Sequence, residues 1–310
     1  MDARSRALLE LGRALRASGY QFITTTPETH RRVWERRGGD TGLAQTLRDV
    51  FGWNMWFAPE ILPQPFVNLL ENAHAVQVKK GRYRSDIRFA SLGGQLYAHS
   101  SWPTETADSV FFGPDTYRFC SFLGRLVPRC RRLLDVGCGS GAGGLWVAHR
   151  TDAVVMCDIN ERALWFAEVN TALSEPPLSA KVGLVRSNIF DSVHGTFDVI
   201  VANPPYLRDP LARQYRDGRG TYGEEIGVRI VKEALTRLEP GGSLLLYTGA
   251  PIIEGKDYFL GSVRPLLEER GCTLDYQELD PDVFGEELER AENAPVERFA
   301  AVGLYARMPA

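Results

Sequence analysis

The chain has 310 residues, 44% of them hydrophobic, and a formal net charge of −3, enough apolar content for a full α/β core with a second domain beside it. Residues 1–100 hold fourteen Lys/Arg against nine Asp/Glu and the remainder twenty-two against thirty; any polyanion contact falls to the N-terminal part, whose mild excess is short of the basic surface of a duplex binder. Five cysteines and five histidines without ligand spacing exclude a metal site and point to a reduced, cytoplasmic protein; no run is long enough for a membrane span, and the start lacks a signal peptide's apolar core.

Leu8, Leu9, Leu11 and Leu15, with Ala7 and Ala14, form the apolar face of a helix that ends near Gly19. Thr26-Pro27-Glu28 opens a second helix by cap and N1 proline, a third is predicted over 41–51 and a fourth around 65–71. Strand-like segments follow at 75–78, 85–90 and 95–99, the last two joined through Ser91-Leu92-Gly93-Gly94 as a hairpin. Helices followed by a hairpin resemble a winged helix, which serves either as a nucleic-acid reader or as a cap that holds substrate. This predicts an N-terminal α+β domain over 1–106, its last six residues linker-like in composition, and a catalytic domain over 107–310. Trp34, Trp53, Trp56 and Trp102 read as packing, and Arg31-Arg32 and Arg36-Arg37 as a solvated helix face.

Arg132-Leu133-Leu134-Asp135-Val136 is a strand pattern running into Gly137-Cys138-Gly139-Ser140-Gly141, with a helix continuing through 145–148. Glycines there let backbone approach a ligand and turn sharply into a helix N-terminus. A second strand over 153–157 ends in Asp158-Ile159, the acid standing at the spacing that suits ribose hydroxyls. Ser187-Asn188-Ile189-Phe190-Asp191 follows a third strand.

The fourth strand, Phe197-Asp198-Val199-Ile200-Val201-Ala202, reads as buried and parallel, and Asn203-Pro204-Pro205-Tyr206 ends it. The two prolines stop the strand and fix the backbone at the sheet edge where ligands of open α/β folds bind. The Asn203 side-chain oxygen and the Pro204 carbonyl are then two rigid acceptors, suited to the two hydrogens of an NH2 group. A planar amide, exocyclic or guanidino nitrogen is a poor nucleophile, so holding both hydrogens orients it and favours pyramidalisation. Tyr206 is expected to offer a flat face for stacking.

Residues 207–221 are polar and rich in Arg, Asp, Gly and Pro, the profile of a substrate loop. Glu224 and Glu225 read as first-turn acids of the next helix, with pairing to a cationic substrate as the sharper alternative. Strand five is expected over 238–246, a helix over 263–270, strand six over 273–277 and a last strand over 298–306. The charged stretch 280–297 is taken as an edge excursion without chemistry.

The order of these motifs resembles the class I S-adenosylmethionine-dependent methyltransferases, in the branch that methylates nitrogen through an Asn-Pro-Pro-Tyr motif. Within it the likeness is to the HemK/PrmC-type protein-glutamine methyltransferases, which modify release factors; Pro114-Asp115-Thr116 and Leu238-Glu239-Pro240-Gly241-Gly242 belong to it. The resemblance implies a Rossmann-like, seven-stranded α/β fold, with S-adenosyl-L-methionine as methyl donor and S-adenosyl-L-homocysteine as product. It implies that Gly137, Cys138, Gly139 and Gly141 border the methionine and ribose parts, with Asp135 near the amino group. It places Asp158 with Ile159 at the ribose, Asn188 and Ile189 beside the adenine, and Asn203-Pro204-Pro205-Tyr206 at the methylated nitrogen, with Asn203 also bordering the cofactor. In the family an acid usually stands at Tyr117 and an Arg at Gly113. The expected partner is a protein or peptide glutamine amide, the alternatives being a free small molecule and an exocyclic nitrogen in nucleic acid. In the last strand the family inserts an antiparallel segment between strands five and six.

Overall fold

The computed structural model describes residues 1–310. It divides into two compact units: unit 1 holds Met1–Tyr117, Gly139–Gly141 and Arg162–Leu178, and unit 2 holds Arg118–Cys138, Ala142–Glu161 and Ser179–Ala310. In chain order the elements begin α1 (Ala3–Ala17), α2 (Pro27–Arg36), α3 (Leu47–Phe51), α4 (Gln64–Asn72), β1 (Val76–Lys79), β2 (Arg82–Ser85), β3 (Ile87–Leu92), β4 (Gln95–Ser100) and α5 (Pro114–Leu126). There follow β5 (Cys130–Val136), α6 (Ala142–Val147), β6 (Thr151–Asp158), α7 (Glu161–Leu173), β7 (Lys181–Arg186) and β8 (Phe197–Ala202). The chain closes with α8 (Glu225–Ala234), β9 (Leu238–Ile253), β10 (Lys256–Asp257), α9 (Tyr258–Glu269), β11 (Thr273–Asp280) and β12 (Arg298–Arg307).

In unit 1, Asp2 caps α1 by accepting from the Ser5 amide, and Leu8, Leu11 and Leu15 lie fully buried one or two turns apart. They meet Phe51, Leu70 and Phe89 and, from α7, Phe166 and Leu173 in one core. Thr26 caps α2 as its sequence predicts. The third helix is shorter than expected and confined to α3, because Thr46 and Asp49 form a capping box that sets its start. Residues 43–45 ahead of it are not helical; Leu43 bridges to Trp56 and the Ala44 amide donates to the Trp56 carbonyl. Two hairpins stand where one was expected: β3–β4 turns at Gly93-Gly94, and β1–β2 turns at Lys80-Gly81.

The stretch 101–106 is not a free linker. The Trp102 amide donates to Asn54, its carbonyl accepts from Arg84, and its ring stacks on His30 at 4.4 Å. Trp34 and Trp53 pack around the same two rings, so the tryptophans fill unit 1. Arg31 is tied to Glu28 and Glu35, which neutralises the helix face it stands on.

Unit 2 is built on one sheet with the path β7-β6-β5-β8-β9-β12-β11, seven strands as the sequence predicts, with β10 paired to β9. The run β7 to β9 is parallel, and β12 is antiparallel to both β9 and β11. Leu134, Val136, Ile200, Ala202, Leu244 and Leu246 face one core with α8 and α9. Strand five is longer than predicted, continuing through Ile253, because β12 pairs with it along Ser243 to Ile252. No helix is long and apolar enough to cross a membrane.

Candidate active site

Register aligns the ends of four parallel strands. Val136 pairs with Cys157 and with Ala202, and Cys157 pairs with Val185. The next residues, Gly137, Asp158, Arg186 and Asn203, therefore leave the sheet in one row at its C-terminal edge. Neighbouring strands lie about 5 Å apart, so Asp158 and Asn203, two strands removed, are separated by roughly 10 Å at backbone level.

The loop after β5 is fastened from below. The Gly137 and Cys138 amides both donate to the Cys157 carbonyl, at 2.9 and 3.0 Å. Gly137, Gly139 and Gly141 have φ of 67°, 53° and 80°, the left-handed region that only glycine enters without cost. A side chain on Gly137 would meet no atom within 4 Å, so its backbone borders open space. Asp135 is buried and accepts from the Gly144 amide at 2.7 Å, tying the strand to the first turn of α6. Burial pushes its carboxyl up to about 7, against the Gly144 hydrogen bond, which lowers it, and with a smaller upward contribution from Asp158. Cys138 is buried, and burial raises its thiol far above the ordinary range, so it is inert as a nucleophile.

Asp158 ends β6 half-buried and caps the turn by accepting from the Asn160 amide. Ile159 follows 45% exposed, an uncommon amount for an isoleucine next to a sheet. On the neighbouring strand end Ile189 has φ 56°, a conformation that costs a β-branched residue of order 1–3 kcal/mol. Its carbonyl is held by the Cys157 thiol. Strand ends β6 and β7 thus each present an isoleucine. The Asn188 amide bonds Asp191 and Arg229 on the exposed side, so this position has its backbone, and not its side chain, to offer.

Asn203 stands half-buried behind the buried end of β8, with Pro204 buried after it. Three glycines cradle the turn. A Cβ on Gly218 would lie 2.0 Å from the Gly223 oxygen and 2.7 Å from the Pro205 oxygen, and one on Gly223 would lie 2.3 Å from the Tyr206 oxygen. A Cβ on Gly249 of β9 would strike the Tyr206 ring at 2.3 Å. Tyr206 departs from expectation: it is 8% exposed, lying on Gly249 and edge-on to Phe284 at 5.9 Å. It props the motif and has no open face for a flat group.

The loop over 207–221 is pinned more firmly than its polarity suggests. Asp209 is buried and receives both arms of Arg213 at 2.7 Å, which hold its carboxyl down at about 2. Arg216 reaches buried Glu287, which Arg290 also approaches at 3.0 Å, and Arg290 donates to the Arg208 carbonyl. The stretch 280–297, expected to be chemically idle, thereby supplies Phe284, Glu287 and Arg290 to the floor of the motif. Glu224 accepts from the Thr221 and Tyr222 amides, so its carboxylate serves this turn, while Glu225 is exposed in the first turn of α8.

Sequence reasoning also missed Asn170. It is 1% exposed in unit 1, accepts from the Ala98 amide at 2.7 Å and donates to the carbonyls of Ala98 and Ser140. The carbonyl of Ser140 fixes the chain between Gly139 and Gly141. An Asn→Ala change there strands three buried backbone groups, and Asn170→Ala is expected to cost about 2–3 kcal/mol, read as a lower denaturation midpoint at unchanged m-value. A buried Asn on an apolar helix face, mid-α7, is the only sign of it in the sequence. A cleft of about 510 Å³ lined by Arg129, Arg131, Arg150, Asp152 and Asp198 lies at the opposite, N-terminal ends of β5, β6 and β8, away from all these groups.

Residues 121–252 match the methyltransferase small domain family. Among curated relatives, the release factor glutamine methyltransferase of Borreliella burgdorferi is 31% identical over 132 residues, covering 39% of this chain and 45% of that protein. The ribosomal RNA small subunit methyltransferase C of Chromohalobacter salexigens is 32% identical over 123 residues, covering 40% and 33%. The chain thus spans less than half the length of these relatives. Methanocaldococcus jannaschii Trm5 in complex with adenosine superposes with a TM-score of 0.52 at 15% identity, over 73% of this chain and 57% of that one, a likeness of fold. Strand order, the Gly-rich loop and the family match agree: residues 121–252 form a class I methyltransferase domain, of the S-adenosylmethionine-dependent kind.

Proposed function

We propose that the chain transfers the methyl group of S-adenosyl-L-methionine to a planar, amide-type nitrogen, and that a glutamine amide of a protein or peptide is the acceptor. The observation that carries this is the Asn203-Pro204-Pro205-Tyr206 turn at the C-terminal sheet edge, its Pro205 and Tyr206 packed against Gly218, Gly223 and Gly249 and its Asn203 in the row that also holds Gly137 and Asp158. Rigid acceptors preorganised for an NH2 group need no reorganisation at the moment of reaction.

The residues fit the cofactor. Gly137 leaves backbone beside open space for its methionine and ribose parts, and Cys138, Gly139 and Gly141 continue the same loop. Asp158 is placed to take the ribose diol, and Ile159 and Ile189 present apolar surface to a flat base, with the Asn188 backbone beside them. The cofactor supplies an electrophilic methyl on a sulfonium. The chain's part is to hold the nitrogen by Asn203 and Pro204 in line with it; the nitrogen gives up its proton to solvent after transfer, and no residue of the turn is a dedicated base.

Asp135 gives this reading a pH signature. Its folded value, about 7, lies above the ordinary 3.8, so the folded chain without cofactor holds the extra proton between those values. Stability from this group is full below the unfolded value and is lost as pH rises toward 7. A cationic cofactor favours the ionised form, so its affinity is expected to rise as pH climbs through about 7 and the slope to flatten in Asp135→Asn. Calorimetric titration of the cofactor at a series of pH values measures both.

A second reading, a free small molecule bearing an amide or guanidino group, is favoured by Tyr117, whose hydroxyl accepts from the Thr24 amide where the glutamine methyltransferases carry an acid. A labelled-methyl assay over release-factor peptides, free amino acids and oligonucleotides separates these. Transfer to the peptide glutamine is expected; transfer to free amino acids alone replaces the first reading by the second, and transfer to oligonucleotides alone defeats both.

A further inference from the structure

Unit 1 buries a cation that nothing in it neutralises. Arg88 on β3 is 4% exposed and forms no ion pair; its Nη2 meets His30 Nδ1 at 3.4 Å and its Nε is buried without a hydrogen-bond partner. Across the hairpin it is paired with His99 on β4, 1% exposed, both of whose ring nitrogens are also without a partner. Thr24, 3% exposed, leaves its hydroxyl unpartnered, and its amide donates to Tyr117. Phe112 stacks on His99 at 5.1 Å and meets Tyr117 edge-on at 5.4 Å, while Phe22 lies under the guanidinium. An unpaired buried charge costs several kcal/mol, and orphaned donors add to it. Arg88 and His99 stand opposite each other on the hairpin with donors unused, and such a pair marks a place for an anion.

We propose that unit 1 holds a binding site for a small carboxylate-bearing molecule, anchored on the Arg88 guanidinium and flanked by Thr24 and His99. The planar fork of arginine matches a carboxylate bidentately. Burial, and then the neighbouring Arg88, hold His30 at about 3 and His99 well below its ordinary range, so both rings are neutral and the site offers a single positive charge. That balance suits a monoanion over a phosphate dianion. The aromatic walls add a face for whatever apolar group the carboxylate carries.

The test reads binding to the full chain without any methyl donor, so it stands apart from methyl transfer. Thermal unfolding and calorimetry are run with sodium propionate, with free L-glutamine and with L-glutamine amide, at constant ionic strength in chloride. Propionate or L-glutamine at about ten times its dissociation constant is expected to raise Tm by about 2–3 °C, and the amide to leave it unchanged. Arg88→Met is expected to fold with an equal or higher Tm, since an apolar residue replaces an unpaired buried charge, and to lose the response; His99→Phe is expected to weaken it. No response to either carboxylate, an equal response to the amide, or a response that persists in Arg88→Met overturns the proposal.

Discussion

Asn203→Ala is expected to lower methyl transfer by about 10²–10³-fold while the cofactor binds with unchanged affinity and the chain keeps its Tm. Asn203 lies half-buried at the end of β8, and its side chain is not among the groups that close the core, so truncation is expected to remove the proposed contact to substrate and little else. The effect belongs in the rate of the bound complex, because the hydrogen bonds strengthen as the nitrogen pyramidalises. Single-turnover rates with labelled cofactor, beside calorimetric affinity, separate the two quantities. Near-normal turnover with intact cofactor binding contradicts the role given to this residue.

The second large effect lies far along the chain. Glu287→Ala is expected to destabilise unit 2 by about 2–4 kcal/mol and to lower turnover at least tenfold, because it leaves mostly buried Arg216 only a 4.0 Å approach to Asp209 and removes the carboxylate that steadies Arg290 at the Arg208 carbonyl. Phe284 meets the Tyr206 ring edge-on, Arg290 holds the Arg208 carbonyl and Arg216 reaches Glu287, so this stretch is tied to the loop behind the motif. The exposed neighbour provides the control: Glu286→Ala is expected to stay within about 0.5 kcal/mol of wild type. Urea unfolding followed by fluorescence, together with trypsin cleavage within 208–219, reads stability and loop release. Equal effects of the two substitutions would remove Glu287 from the motif's support.

What was legible beforehand depended on whether local pattern and tertiary demand agreed. The strand Phe197–Ala202 and its proline stop are readable because Val199-Ile200-Val201 is a β-branched run with one stable use in an α/β sheet, and β5 is readable from its apolar end running into the glycines after it. The antiparallel last strand was placed by family likeness, and its pairing with β9 and β11 bears that out. The helix predicted over 41–51 failed because a capping box at Thr46 outweighed the propensity of the residues before it. Glu287 and Asn170 were missed for a different reason. Each looks like an ordinary polar residue until a partner 71 or 72 positions away arrives, Arg216 in one case and Ala98 in the other. A ring beside a ligand edge suggests a stacking face, whereas Gly249 and Phe284 claim Tyr206 here.

The central claim, that Asn203 and Pro204 hold a nitrogen in line with the donor methyl, is tested most directly by finding which atom receives the label. The chain is incubated with 13C-methyl cofactor and the acceptor found in the substrate panel, and the product is assigned by NMR and fragmentation mass spectrometry. The account predicts one methyl on a nitrogen that carried two hydrogens, and its loss in Asn203→Ala. A methyl on oxygen, sulfur or carbon, or on a nitrogen with no hydrogen to offer Asn203, contradicts it.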